Sequence, residues 1–265
     1  VLTFRDFVTG LRRLDIDQSQ PVIAHASLSA FGEVHGGVQT VLGALTSTFE
    51  TIIMPTFTYK TMITPEVGPP GNAINYGSAK DANRMAEIFS PDMPADSMMG
   101  VLAEALRLQP DALRSRHPIL SFTGINAEEI LASQTTWEPL LLIQALIDEE
   151  GWVLLMGVDQ TVNTSIHYAE KLAGRKQFIR WALTPEGIVP CHGFPGCSDG
   201  FASVDPPLEQ NTRAVRLGEA FVRAIPLVNL MDTVCGMLKE DPLALLCERE
   251  DCARCNAVRE AVTRS

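Results

Sequence analysis

The segment Asn163-Thr164-Ser165-Ile166-His167-Tyr168-Ala169-Glu170 sets a histidine and a carboxylate three residues apart. If the segment is helical, both side chains share one face and Asn163 or Thr164 caps the first turn. An imidazole titrates near pH 6.5, and a neighbouring carboxylate steadies its protonated form, so His167 with Glu170 is a candidate general base. The competing structural reading is a half-buried histidine beside a surface glutamate.

Three further groups of residues could carry chemistry. The run His25-Ala26-Ser27-Leu28-Ser29-Ala30-Phe31-Gly32, followed by Gly36-Gly37-Val38-Gln39-Thr40, is a glycine-rich loop bearing hydroxyls. Between a strand end and a helix start it would offer free backbone N–H groups to a diphosphate. It has neither the Gly-Lys-Ser/Thr ending of a P-loop nor a Gly-x-Gly-x-x-Gly fingerprint, and a turn that needs glycine for its geometry alone fits it equally. The cluster Arg114-Ser115-Arg116-His117-Pro118-Ile119-Leu120-Ser121-Phe122 could neutralise an anionic cofactor; a salt-bridge anchor or a charged helix end fits the spacing as well. Last, Cys247-x4-Cys252-x2-Cys255, with Cys191, His192 and Cys197 upstream, offers enough soft ligands for tetrahedral zinc. Cys197 is the expected fourth ligand because Gly196 before it and Ser198 after it allow a tight approach. Buried apolar cysteines or reversible disulfides are the alternatives.

These groups need elements to hold them. Phe4, Phe7, Val8 and Leu11 recur at helical spacing behind Thr3, and Val22-Ile23-Ala24 reads as a strand. A helix through Val38, Val41, Leu42, Leu45 and Phe49 leads to a strand at Thr51 to Met54, which completes a βαβ unit. About residues 56–96, broken by Pro65, Pro69, Pro70, Pro91 and Pro94, read as a long excursion, either a binding loop or a peripheral brace. Helices are expected near Met98 to Leu108, Glu138 to Glu149 and Asn163 to Ala173, with strands at Ile119 to Thr123 and Trp152 to Met156. A hairpin is expected from Gln177 to Leu183 and Ile188 to Cys191. The alternation predicts an α/β class: one layered α/β/α domain over residues 1–265, with a Cys-rich segment at about 241–265. The late hairpin is expected to make the central sheet mixed.

A chain of 265 residues with 46% hydrophobic content can bury a substantial core, which excludes disordered tails and fibrous repeats. Its 21 Lys+Arg against 32 Asp+Glu give a net charge of −11, which argues against nucleic acid and for small cationic partners. No run approaches the roughly 18 to 20 apolar residues of a membrane span, and no basic-then-apolar leader opens the chain, so a soluble, unexported, cytoplasmic protein is expected.

Together the blocks His25-x-Ser27-Leu28-Ser29-x2-Gly32-x3-Gly36-Gly37-x2-Thr40-Val41, Met54-Pro55-Thr56, Arg114-Ser115-x-His117-Pro118-x2-Ser121-Phe122 and Asn163-Thr164-Ser165-x-His167-x-Ala169-Glu170 resemble the aminoglycoside 3-N-acetyltransferase family. The resemblance spans about residues 20–172 and implies an antibiotic N-acetyltransferase fold, distinct from the GNAT fold. It implies acetyl-CoA as donor and no catalytic metal. The expected cofactor-binding residues are Ser27, Leu28, Ser29, Gly32, Gly36, Gly37 and Thr40, with Arg114, Ser121 and Phe122. His167 would be the base, and Glu170 the acidic partner that binds or orients a small cationic amine between acidic walls. Hydroxyls near Ser27 and Ser121 would stabilise the developing oxyanion. One departure stands out: Phe57-Thr58-Tyr59-Lys60 follows Met54-Pro55-Thr56 where the family usually carries an aspartate and a Trp-bearing loop. Lys60 has the wrong sign for a polycation, so residues 60–96 are expected to set acceptor specificity, and an amine other than an antibiotic fits. A CoA-binding protein without catalysis and a zinc hydrolase are the rival classes.

Overall fold

The computed structural model describes residues 1–264. Helix α1 (Phe4–Arg12) starts at a capping box in which Asp6 accepts from the Thr3 amide. Strand β1 (Val22–Ala26), helix α2 (Gly37–Thr46) and strand β2 (Ile52–Pro55) follow, and β1 and β2 pair in parallel, as the βαβ pattern requires. The excursion contains a 3-10 turn (Tyr59–Thr61), β3 (Met62–Ile63) and α3 (Lys80–Arg84) as regular structure. Then come α4 (Gly100–Arg107), β4 (Ala112–Arg114), β5 (Phe122–Ile125), α5 (Glu128–Ala132), α6 (Leu142–Asp148), β6 (Trp152–Met156) and α7 (Thr164–Leu172). The chain closes with β7 (Phe178–Thr184), β8 (Gly187–Phe194), α8 (Asp205–Leu208), β9 (Arg213–Leu217), β10 (Ala220–Pro226), α9 (Leu227–Glu240) and α10 (Ala253–Arg264).

Seven strands form the central sheet in the order β4-β5-β2-β1-β6-β10-β9. Successive side chains of its central strands alternate between two cores, as the two-residue period of a strand dictates. Val22, Ala24, Ile52, Met54, Leu154 and Met156 pack against α1, α2 and α4. Ile23, Ile53, Val153, Leu155 and Ile225 pack on the other side against α5, α6, α7 and α9. The layered α/β/α arrangement is therefore present and the sheet is mixed, but the hairpin is not the reason. β7 and β8 pair with β3 in a separate three-stranded sheet. The main sheet is mixed because β5 runs antiparallel to β2, and β10 antiparallel to β6.

The strand expected at Ile119 to Thr123 begins only at Phe122. His117 Nδ1 accepts from the Ile119 amide at 3.1 Å and the Leu120 amide at 2.9 Å, which folds Pro118 to Ser121 into a turn and uses donors a strand would need. The excursion is tied to the small sheet: the Asn72 amide group exchanges two hydrogen bonds with the Ile179 backbone, at 2.8 and 3.0 Å.

Candidate active site

The parallel strands β1 and β6 end side by side, and the chemistry of open α/β sheets sits at such carboxyl ends. There a cavity of about 900 Å³ is lined by His25 to Ser29, Gly32 and Gly37 on one side, Met98 to Val101 on another, and Asn163, Thr164 and His167 from the start of α7. The Ser27 amide donates to Met156 O at 3.0 Å and locks the loop to β6. Gly157, at φ +69°, permits the close approach: a Cβ there would lie 2.7 Å from that of Ala30.

Ser27, Leu28, Ser29, Gly32 and Gly37 face the cavity as expected of a cofactor loop. Gly37, at φ +57°, has no atom within 4 Å of a would-be Cβ, so the first turn of α2 is open. Gly36 and Thr40 shape the loop from behind; Thr40 Oγ1 donates to His35 O at 2.6 Å. His25, one residue before the end of β1, is buried with Nε2 unpartnered, and burial pushes its pKa down to about 4, so it is neutral at neutral pH.

Arg114, Ser121 and Phe122 are not brought to the cavity. The Arg114 guanidinium donates to Ser121 Oγ at 3.1 Å, Thr56 O at 2.6 Å, Pro91 O at 3.1 Å and Met93 O, so its donors serve internal carbonyls and a hydroxyl. Ser121 is fully buried and donates to Thr56 O at 2.8 Å, and Phe122 is core. These three brace the excursion against β2 and β5, and Ser121 cannot reach a developing oxyanion.

The helix read at Asn163 to Ala173 is present as α7, capped by Asn163 Oδ1, which accepts from the Ser165 amide at 3.2 Å. His167 Nδ1 lies 2.7 Å from Glu170 Oε2. With the ring N–H donated to that carboxylate, Nε2 keeps its lone pair for the cavity side. Glu170 is not a surface residue, nor does it line the cavity to meet an amine: it is only 2% exposed. Its other oxygen accepts from Arg175 at 2.7 Å, and Arg175 in turn donates to Pro242 O and Ala244 O, both at 2.7 Å. Phe201 tilts against the imidazole with ring centroids 4.7 Å apart. The sequence reading missed Arg175 and Phe201. Arg175 follows the helix across Gly174, outside any helical spacing, and Phe201 arrives from a separate segment.

The acidic walls expected around the acceptor are absent from the described lining, where Asp199 is the one carboxylate and Arg254 the one guanidinium. Asp199 pairs with Arg249 at 3.0 Å. No described residue from 60 to 96 lines the cavity; Lys60 points to Glu87 at 3.5 Å. The excursion lines the cavity only through Phe57 and Tyr59 at its start, and a further wall comes from Phe194 to Asp199 with Arg254.

The cysteine reading gathers one cluster from two distant segments. Cys197, Cys247, Cys252 and Cys255 are buried, and their sulfur atoms lie within 4.8 Å of one another. Cys191 is buried elsewhere in the main core, and His192 stacks on Trp137 with centroids 3.6 Å apart.

In sequence and in fold, this chain is similar to known proteins. Its sequence is 33% identical over 182 residues to aminoglycoside N(3)-acetyltransferase IX of Micromonospora chalcea, a match that covers 64% of this chain and only 63% of that protein. It is 27% identical over 232 residues to aminoglycoside N(3)-acetyltransferase III of a Salmonella species, covering 76% and 78% of the two chains. The fold superposes on aminoglycoside acetyltransferase AAC(3)-IVa with a TM-score of 0.80 at 23% identity, covering 98% of each chain. Residues 23–239 match the sequence profile of one family, so the chain belongs to the aminoglycoside 3-N-acetyltransferase family.

Proposed function

We propose that this protein is an acetyl-CoA-dependent N-acetyltransferase that modifies an amino group of an aminoglycoside or a similar small cationic amine. The observation that carries the reading is the Arg175–Glu170–His167 relay opening onto the same cavity as the glycine loop. Two proteins of the same fold support it by what they bind: AAC-IIIb is known in a binary complex with CoASH, and AAC-VIa is known bound to sisomicin.

The residues present fit the donor. The open turn at Gly37 and the helix N-terminus it begins suit a diphosphate, and Ser27 to Ser29 would flank the pantetheine arm. When bound, acetyl-CoA supplies an acyl carbon already activated as a thioester. The protein's own work is on the acceptor. An ammonium has no lone pair, so His167 Nε2 takes its proton, directly or through water, while Glu170 balances the imidazolium through Nδ1–H. Arg175 keeps the Glu170 carboxylate paired in a buried position. The protein would act in the cytoplasm, and the four cysteines would hold a structural zinc apart from the chemistry.

A less charged amine is favoured over a polycationic antibiotic by one feature, the single lining carboxylate, Asp199, which is already paired with Arg249. The test is release of free thiol from acetyl-CoA with a panel of aminoglycosides, polyamines and monoamines. Amine-dependent release supports the reading. Acetyl-CoA binding with no release for any amine would leave the rival, a CoA-binding protein without catalysis.

A further inference from the structure

The irregular stretch between the end of β8 at Phe194 and the 3-10 turn at Phe201 forms one wall of the cavity through Pro195, Gly196, Ser198 and Asp199. It belongs to no sheet or helix. Cys197, in its middle, is 4% exposed and joins the thiol cluster rather than the cavity lining. The other three thiols come from Cys247 to Cys255, the approach to α10 and its first turn, and Arg254 within that segment also lines the cavity. Arg254 donates to Gly196 O at 2.9 Å, so the two segments meet at the wall itself.

The surroundings of the cluster suit a dianionic tetrathiolate. In a tetrahedral zinc site with Zn–S of about 2.3 Å, the sulfur–sulfur edges are about 3.8 Å. The four sulfurs, already within 4.8 Å, need only a small contraction to reach it. The Asp199 amide lies beside the Cys197 sulfur and the Cys255 amide beside the Cys252 sulfur, where they favour thiolate. The Arg249 guanidinium stands beside the Cys247 and Cys252 sulfurs, and Arg259 donates to Cys247 O at 2.6 Å. Three arginines thus stand around four thiols, and the positive end of α10 faces them.

We propose that Cys197, Cys247, Cys252 and Cys255 bind one zinc ion whose role is to fix the cavity wall opposite the glycine loop and, through Phe201, the position of His167. Binding is coordination without redox change: Zn²⁺ replaces the thiol protons, and the bound thiolates leave a site of net charge −2. The same C-terminal segment carries Pro242 O and Ala244 O, which hold Arg175 behind Glu170, so the metal sits at the junction of wall and relay. The glycine loop packs in the opposite layer, against α1, α2 and α4, and is independent of the metal. This inference rests on the reading that the glycine loop holds acetyl-CoA and the cysteines hold zinc.

The experiment is elemental analysis and native mass spectrometry of the purified protein, followed by hydrogen–deuterium exchange before and after chelation and after zinc is restored. One zinc per chain is expected. Chelation should expose peptides covering 194–201 and 242–259 and leave those covering 22–46 protected, with acetyl-CoA affinity changed by less than about threefold, a shift below 1 kcal/mol; restored zinc should reverse the change. Cys197→Ser, which detaches the wall but leaves three thiolates, should expose 194–201 alone. A protein with no bound metal, or with iron, overturns the zinc reading. Bound zinc whose removal leaves 194–201 protected, or exposes 22–46 as well, overturns the wall inference while the zinc reading stands. Loss of acetyl-CoA binding in the zinc-loaded protein overturns the cofactor reading instead.

Discussion

Glu170 stands behind His167 rather than beside the acceptor: one carboxylate oxygen is 2.7 Å from the imidazole Nδ1 and the other 2.7 Å from the Arg175 guanidinium. The two carboxylate oxygens are therefore both committed, which assigns the glutamate to orienting and balancing the base.

That relationship separates rate from stability. Glu170→Gln should lower kcat about 100-fold and, by leaving Arg175 buried without its counter-charge, destabilise the fold by about 3 kcal/mol. Adding Arg175→Met should recover part of the stability but none of the rate. Urea unfolding and steady-state kinetics on the three variants check this; recovery of both together would mean the relay is purely structural.

The Arg114 hydrogen bonds make a contrasting prediction. Arg114→Met should cost about 3 kcal/mol of stability, because it strips donors from buried acceptors, yet leave the Kd for acetyl-CoA within about twofold. Calorimetric titration of the folded variant decides the point: a tenfold weaker Kd would return Arg114 to the cofactor.

Gly157→Ala forces a side chain into a left-handed position at φ +69°, against Ala30. The strain of about 1–2 kcal/mol should shift the Ser27 to Phe31 turn and weaken acetyl-CoA binding about tenfold. An unchanged Kd would show that the loop does not hold the cofactor.

Acid should destabilise the protein through two buried imidazoles. Burial pushes His25 and His117 down to about 4, against about 6.5 in the unfolded chain. Above pH 6.5 neither state is protonated and stability is full. As pH falls from 6.5 towards 4 the unfolded chain takes up protons that the folded one refuses, at a final cost of about 3 kcal/mol per site. Unfolding free energies at pH 7.5 and pH 5 should differ by about 4 kcal/mol in total; a flat profile would contradict the burial of both rings.

How much of this was legible in the sequence depends on whether the signal was local. The β1–α2–β2 unit and α7 announce themselves through periodicity and a cap, and four cysteines that meet across fifty residues were identifiable by ligand chemistry. What local patterns hid was set by tertiary competition. His117 captured two amides and delayed β5, β9 is an edge strand with exposed Arg213 and Arg216, and β10 interleaves exposed Phe221 with small Ala220 and Ala224. Neither strand shows the apolar run that marks β6. For residues 60–96, proline and glycine mark a loop, but only the Asn72 bonds to Ile179 show that it is tied to the small sheet.

In this mechanism His167 Nε2 takes the proton of the acceptor amine. The most direct test compares kcat of His167→Ala with that of the unaltered protein, using the amine found by thiol release and confirming equal acetyl-CoA affinity. A fall of about 10² to 10⁴ in kcat is expected; equal rates in the two proteins would mean that His167 is not the base.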